Sequence, residues 1–572
     1  LLFGKKEYEP AARFFAEAGA AEKFSLADTA VLRQARCLYE LGRIEEAARL
    51  YWDMPRRFTD TGHYDTAVLA GSKCYFLVGK YSVARSGFEK VAGRNVAQSA
   101  EARQWIARSY LKENDPRRAL EVLDDAIRRH ANSPELPQLV LARIDALYDI
   151  PERRKETAAL YADFAARHPG HESAAQAQYM AALAARDVPH HAAAKRHCAT
   201  FPKQLPDDKL KPDVEFIAAE ARLLLGEYAD AAQQYRQFLH DAPAHANAPQ
   251  SRVRLGLALQ LAEKHDEAVT ALEAAQPDLK DPNLQSEALA LIGRSRAAQQ
   301  QFEKAADAFE RSLQAGPKRE QTDETLLALA DAYHRLGREK DATARLKQLL
   351  EEYPASKRVE DATFRLGETA YADGAFDEAL ARYSAVVATW PDGSFAPHAL
   401  HGLGWTHFKQ GNYRDAIDVL TSLEKKNAGT DLAAKGLYVR AMAFYQLGEF
   451  PAAEKDARAF LQSKPAKNQA LDAQYLLGLS LAGQQKFEEA AAAYADILAA
   501  DPRYAGADKA AYELGWAYVE LGRKDEALAA FSRLAKDHPD SPLAAESLFR
   551  AGEFHSDAGK YDEATARYAE AE

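Results

Sequence analysis

Apolar and small residues recur along this chain at helical spacing, in runs that come in pairs, and residues 508–539 show the pattern most plainly. Leu514, Gly515 and Tyr518 fall on one face of a predicted first helix and Gly522 ends it. Ala527, Phe531 and Leu534 then mark the inward face of a second helix stopped at Pro539. The unit is a helix-turn-helix. Sliding it along the sequence places a small anchor in each second helix at Ala11, Ala47, Ala84 and Ala119, then at Thr157, and onward through Ala194, Ala231 and their successors to Ala564. From Thr157 every interval is 37 residues, whereas the four earlier ones are 36, 37, 35 and 38, so the irregularity lies at the N-terminal end. The turn position holds glycine at Gly42, Gly79, Gly226, Gly337, Gly374, Gly411, Gly448, Gly522 and Gly559, where a left-handed backbone costs least without a Cβ. Small anchors let paired helices approach closely, and a fixed-period array of such pairs predicts an all-α solenoid of antiparallel helix pairs.

The pattern resembles the tetratricopeptide repeat across essentially the whole chain. Leu403, Gly404, Gly411, Tyr413 and Ala416 match the family's order of Leu-Gly, turn glycine, aromatic and alanine, as do Gly226, Tyr228, Ala231, Tyr235 and Pro243. The period is 37 rather than the usual ~34, and units such as the one opening at Asp540, Ser541 and Pro542 begin with an acidic or Ser-Pro entry. That longer form resembles the bacterial envelope branch of the family, which includes outer-membrane-assembly lipoproteins and the coordinator of the Tol-Pal system. The resemblance implies a superhelical solenoid in the periplasm or cell envelope, with the cytoplasm as the alternative.

Regularity varies along the chain. Residues 1–200 carry the less regular units, beginning inside a repeat, with Ile150 to Arg154 and Val188 to His191 replacing glycine turns. Pro202, Pro206 and Pro212 crowd the stretch 201–212, which predicts an extended loop and a hinge. Residues 213–572 form the regular array, loosened at Pro277 to Pro282 and at Lys425 to Asp431. The chain starts at Leu1 and ends within a second helix, as an excerpt of a longer protein would, so a signal peptide or lipid-attachment cysteine is neither implied nor excluded.

Composition narrows the function. No apolar run approaches the ~18 residues of a membrane span, so no direct membrane insertion is expected. A net charge of −11 argues against a general nucleic-acid binder. The charge is uneven: residues 1–200 hold 30 basic and 26 acidic side chains, and residues 201–572 hold 44 and 59. Cys37 and Cys74 occupy equivalent core places in successive units and Cys198 stands alone, so no disulfide framework is predicted. His190, His191, His197 and Cys198 lack the further ligands that would complete a tetrahedral set. His398 and His401 have ligand spacing, with His407 beyond them, yet read as exposed or groove-lining residues. No metal, no cofactor and no enzymatic chemistry are expected, since each glycine reads as a repeat turn and no nucleophile motif is present.

What remains is surface. In tetratricopeptide solenoids the first helices line the concave face, and the resemblance places there the residues three before and one after the position of Gly515. Those places begin as a cationic row, Arg36, Lys73 and Arg108, suited to an acidic partner. Between 401 and 516 they become an aromatic stripe: Trp405 and Phe408, Tyr438, Met442 and Tyr445, Tyr475, then Tyr512 and Trp516. The stripe either fills the contacts between neighbouring helices or stands open to hold an apolar peptide or helix. Asparagines that other family members use to clamp a carboxylate or a sugar donor are replaced here by Arg33, Ala70, Arg143, Arg254, Arg365, Val439 and Arg550. The expected function is a non-enzymatic scaffold or adaptor holding proteins or peptides, a multiprotein complex among them, in a bacterial cell-envelope assembly. The alternatives are a recruiting segment of a larger enzyme and a self-assembling structural array.

Overall fold

The computed structural model describes residues 1–572 except 22, 95, 189, 205–207 and 317, and at 202–204 the helical backbone only. Among the described residues there are 31 α-helices, two short 3-10 turns and no strand. They form two compact units, Leu1–Gln299 and Gln300–Glu572. Within each, a short turn folds every helix back against the one before it. The expected hinge at 201–212 lies inside the first unit, and Leu205, Pro206 and Asp207 fall outside the described residues.

The anchor pattern survives in three dimensions. Every anchor from Ala11 to Ala564 lies in the first turn of its helix and is buried, Thr157 included. Thr157 is tolerated because its hydroxyl donates to the Arg154 carbonyl at 2.7 Å, leaving no unmet polar atom in the core. Small anchors leave room for a large residue one turn on, and Tyr161, Tyr235, Tyr383, Tyr494 and Phe531 are all fully buried. Glycine on the facing first helix completes the fit. A Cβ at Gly515 would stand 2.6 Å from the Phe531 ring, one at Gly552 2.6 Å from Tyr568, and one at Gly367 2.8 Å from Tyr383. Several repeats relax the rule with leucine for the ring, as at Leu272, Leu346 and Leu420, and the repeat anchored at Ala453 departs furthest, with Ala457 for the ring and Ala441 for the glycine. Beside them Arg440 and Asp456 form a buried ion pair, with Nε and Nη2 donating to the two carboxylate oxygens at 2.5 and 2.9 Å.

The turns are one structure repeated. Gly42, Gly79, Gly226, Gly337, Gly374, Gly411, Gly448, Gly522 and Gly559 all have φ between 70° and 78°. At Gly522 the Arg523 N–H donates back to the Tyr518 carbonyl at 2.9 Å, closing the first helix. The same place holds Asn114, Glu263, Gln300 and Gln485 in four other repeats, with φ between 59° and 61°. Nothing lies within 4 Å of a Cβ built at Gly522, so a substitution there acts through the backbone alone. Gly522→Ala is expected to destabilise by about 1 kcal/mol, whereas Gln485→Gly is close to neutral or mildly stabilising, because relief of left-handed strain is offset by unfolded-chain entropy. Urea midpoints at unchanged slope check both.

The extended loop expected across 201–212 is corrected at both ends. Helix His191–Gln204 runs through Phe201 and Pro202, and the next helix, Lys211–Leu224, already contains Pro212 in its first turn. Proline is admitted at Pro212 because a first-turn amide has no intrahelical acceptor to lose. The other loose connections are ordered by capping: Pro151–Arg153 and Gln276–Asp278 are single 3-10 turns, and the Thr430 hydroxyl accepts from the Ala433 amide at 3.2 Å.

Candidate partner-binding face

The second unit carries the aromatic stripe on consecutive first helices, Ala396–Lys409, Asp431–Gln446, Lys467–Gly483 and Ala507–Glu520. Trp405, Phe408, Tyr438, Met442, Tyr445, Tyr475, Tyr512 and Trp516 are each half-buried. This outcome lies between the two readings of the stripe, since each side chain packs one flank on the core and leaves another accessible. Trp405 meets Phe408 edge-on at 6.1 Å, and both pack with Met442 on the cluster around Leu420, Leu423 and Val439. Tyr438 leans on Phe460 at 5.4 Å, Tyr445 on Phe450 at 5.7 Å and Tyr475 on Tyr494 at 6.0 Å. Tyr512 and Trp516 lie 6.3 Å apart, Trp516 rests on Phe531 at 6.1 Å, and the Arg550 guanidinium covers Trp516 at 5.1 Å. Edge-to-face and tilted contacts of this kind fix ring orientation while leaving a ring face or polar tip available.

One charged group on this face was not singled out from the sequence. Glu513 is half-buried on helix Ala507–Glu520, and burial pushes its carboxyl up from the ordinary value. Tyr445, Tyr475 and Tyr494, drawn from three other helices, share one core cluster, where burial first and the Glu513 charge second push their phenols up. The repeat alignment carried no clear signal, since the equivalent place holds Leu476 and Val439 in the two preceding repeats but Arg550 in the next.

The cationic row belongs to the first unit and is less bare than its sequence suggests. Arg36 pairs with Glu40 at 2.7 Å and lies over Tyr39 at 5.2 Å. Lys73 pairs with Glu101 at 2.5 Å and covers Trp105, over which Arg108 also lies at 4.8 Å. Two of the three charges therefore meet carboxylates of their own unit, which weakens any long-range pull on an acidic segment.

The histidines are separated by environment. His190 is exposed, His191 and His197 are half-buried, Cys198 faces the core, and Pro189 is outside the described residues. His401 has a buried, unpartnered Nε2, and burial, assisted by Lys435 and His398, pushes its imidazole down to about 4. The unfolded imidazole titrates near ~6.5, so this group's contribution to stability is complete above that pH and is lost as pH falls from there towards 4. Denaturant unfolding at pH ~7.5 and ~4.5 is expected to show wild type losing on the order of 2 kcal/mol more than His401→Gln over that interval. A cleft of about 560 Å³ lies earlier in the second unit, lined by His334, Phe364, Arg365, Glu368 and Phe395. Its one guanidinium is already taken, since Arg365 pairs with Asp331 at 3.0 Å and Asp361 at 2.7 Å.

Two profiles, each described as tetratricopeptide repeat, match residues 78–134, 106–172, 327–394 and 401–468 in one case and 481–548 in the other, together just over half of the chain. The chain belongs to the tetratricopeptide-repeat family. No curated protein matches its sequence. Among solved structures, a tetratricopeptide repeat protein from Parabacteroides merdae is 17% identical, with 44% of this chain and 92% of that one covered at a TM-score of 0.33. The C-terminal part of a TPR repeat-containing protein from Cytophaga hutchinsonii is 19% identical, covering 45% and 98% at 0.38. YrrB, described as a TPR protein with an unusual peptide-binding site, is 19% identical, covering 35% and 96% at 0.30. In this tetratricopeptide-repeat protein the profile matches at 401–468 and 481–548 fall on the repeats that carry the aromatic stripe.

Proposed function

We propose that this tetratricopeptide-repeat chain is a non-enzymatic scaffold that holds a segment of a partner protein against the first-helix face of residues 401–516. The observation that carries the reading is the run of half-buried Trp, Tyr, Met and Phe side chains on consecutive first helices, each anchored on the core and partly open. Tryptophan and tyrosine held in this way lose little conformational freedom on binding and are the residue types that dominate protein interfaces. Tetratricopeptide repeats typically serve as interaction surfaces rather than catalytic centres, which agrees with that face. The proposed setting is an assembly of the bacterial cell envelope, on the resemblance of the 37-residue period to the envelope branch of the family. Fractionation of source cells tests the location, and recovery in the cytosol alone would refute it.

The binding reading is tested by capture from source extract at low and high salt. Trp405→Ala and Trp516→Ala are each expected to weaken a salt-resistant capture about 30-fold, as removal of an interface anchor worth about 2 kcal/mol does. Far-ultraviolet circular dichroism and the melting midpoint run alongside. Loss of helicity without selective loss of binding would return both tryptophans to a purely structural role.

A further inference from the structure

The cleft lined by His334 and Phe395 opens among helices Thr322–Arg335, Glu339–Glu352 and Val359–Ala372, and no residue of the aromatic stripe borders it. Its volume of about 560 Å³ is that of a ligand site rather than a packing gap. Two chemistries meet in its lining. Ala330, Ala342, Leu346 and Phe364 supply a buried apolar part, and the half-buried Phe395 ring lies 5.2 Å from Phe364. Glu339, Glu368 and Asp373 supply three carboxylates.

The charges of this lining are unequally met. Arg365 is shared between Asp331 and Asp361, and the His334 Nδ1 lies 2.9 Å from Glu339. Glu368 and Asp373 are exposed and make no hydrogen bond or ion pair among the described residues. Glu368 is open to solvent yet crowded by protein, as a group standing in a concavity is: burial pushes its carboxyl up, against the pull of His398, Arg365 and His334. An anion entering the cleft would meet surplus negative charge. Nor do three side chains come together as metal ligands among the described residues. The group that fits is an organic cation with an apolar stem.

The chain itself shows how such ingredients are used. Arg85 lies 4.2 Å over Tyr110 and pairs with Glu113, and Arg338 lies 4.3 Å over Tyr333 and pairs with Asp341. Arg550 likewise covers Trp516 while pairing with Glu546 and Glu553. In the cleft the rings and the carboxylates are present, but among the described residues no cation of the chain lies over Phe364 or Phe395. We propose that the cleft receives an arginine side chain of a partner protein, its aliphatic stem against Leu346 and Phe364 and its guanidinium paired with Glu368 and Asp373. A guanidinium suits the place better than an ammonium, because it is planar, weakly hydrated, stacks on rings and offers a carboxylate two donors at once. The site is separate from the 401–516 face and does not depend on it.

The test uses the full chain with 4-fluorophenylalanine in place of Phe395 alone, so that one fluorine resonance reports on the cleft. Acetylarginine amide is titrated at low ionic strength and pH ~8, where imidazoles are neutral, with acetylcitrulline amide as the uncharged control of the same shape. The arginine derivative is expected to move the resonance saturably in the millimolar range, and the citrulline derivative to leave it in place. Glu368→Gln is expected to weaken the response about tenfold, and Glu368→Gln with Asp373→Asn to abolish it. The melting midpoint stays unchanged in both variants, because the two carboxylates are exposed and unpaired. An arginine peptide flanked by alanines is expected to respond at least as strongly as the single residue, since a partner must bring its backbone to the opening. No response to the arginine derivative, an equal response to citrulline, an undiminished response in the double variant or a lost response to the peptide would each overturn the site. None of these outcomes bears on the 401–516 face, which is read by capture with Trp405→Ala.

Discussion

Arg440→Leu is expected to destabilise the unit 300–572 by about 3–5 kcal/mol, although leucine is what the following repeats carry at that place. The reason is the partner left behind. Asp456 is 3% exposed and its two oxygens accept from Arg440 at 2.5 and 2.9 Å, so removing the guanidinium strands a buried carboxylate. Leu477 with Ala493, and Leu514 with Ala530, fill the equivalent pair of positions with apolar contact. The double variant Arg440→Leu with Asp456→Ala is therefore expected to return to within about 1 kcal/mol of wild type, since an apolar pair of fitting volume replaces a buried ion pair at little cost. Asp456→Ala alone is the milder single change, because Arg440 keeps Glu424 at 2.7 Å and the Thr421 hydroxyl at 3.0 Å. Urea unfolding of the four proteins measures the cycle. Equal losses in the two single variants with no recovery in the double would refute it.

Gly515→Ala is expected to destabilise by about 2 kcal/mol, although helix propensity alone predicts a gain of about 1 kcal/mol for the same change. The added methyl would stand 2.6 Å from Phe531 Cε1. Phe531 has no room to retreat, being fully buried with Tyr512, Trp516 and Phe554 ring centroids 5.9, 6.1 and 6.3 Å away. Gly436→Ala supplies the contrast: its new methyl would meet only the Leu423 side chain at 3.0 Å, with Leu420 at 3.4 Å, and an aliphatic side chain can shift by the few tenths of an ångström required. That variant is expected to be neutral or mildly stabilising. Melting curves showing both variants stabilised would remove the close-approach argument and leave propensity in charge.

The helix pairs were legible in the sequence because each depends on features that repeat: a small anchor such as Ala527, a ring one turn on such as Phe531, and a turn glycine such as Gly522. Glu263, Gln300 and Gln485 share the left-handed turn without announcing it, since the neighbouring helices impose the conformation and the side chain only tolerates it. Pro202 and Pro212 suggested a longer loop than the structure has: the helical backbone runs on past Pro202 to Gln204, and Pro212 stands in a first turn, where proline gives up no intrahelical bond. The candidate site was readable in outline from the aromatic positions. The carboxylates beside Arg36 and Lys73 were overlooked because Glu40 reaches Arg36 from a full turn along the same helix and Glu101 reaches Lys73 from a different helix. The Arg440–Asp456 pair was visible only as a departure from the repeat's own consensus, a comparison between copies rather than a motif.

From Gly226 onward the left-handed turn falls at one fixed place before each anchor, whichever side chain stands there. A crossover between the coding segments of any two such turns regenerates the junction it cut. Within either unit the protein can therefore lengthen or shorten by whole copies, adding or deleting one pair of outward-looking side chains per event while the turn and the spacing to the anchor are rebuilt. An insertion of a single residue enjoys no such licence, because it rotates the following anchor by about 100° around its helix and turns alanine away from the ring it was spaced to meet.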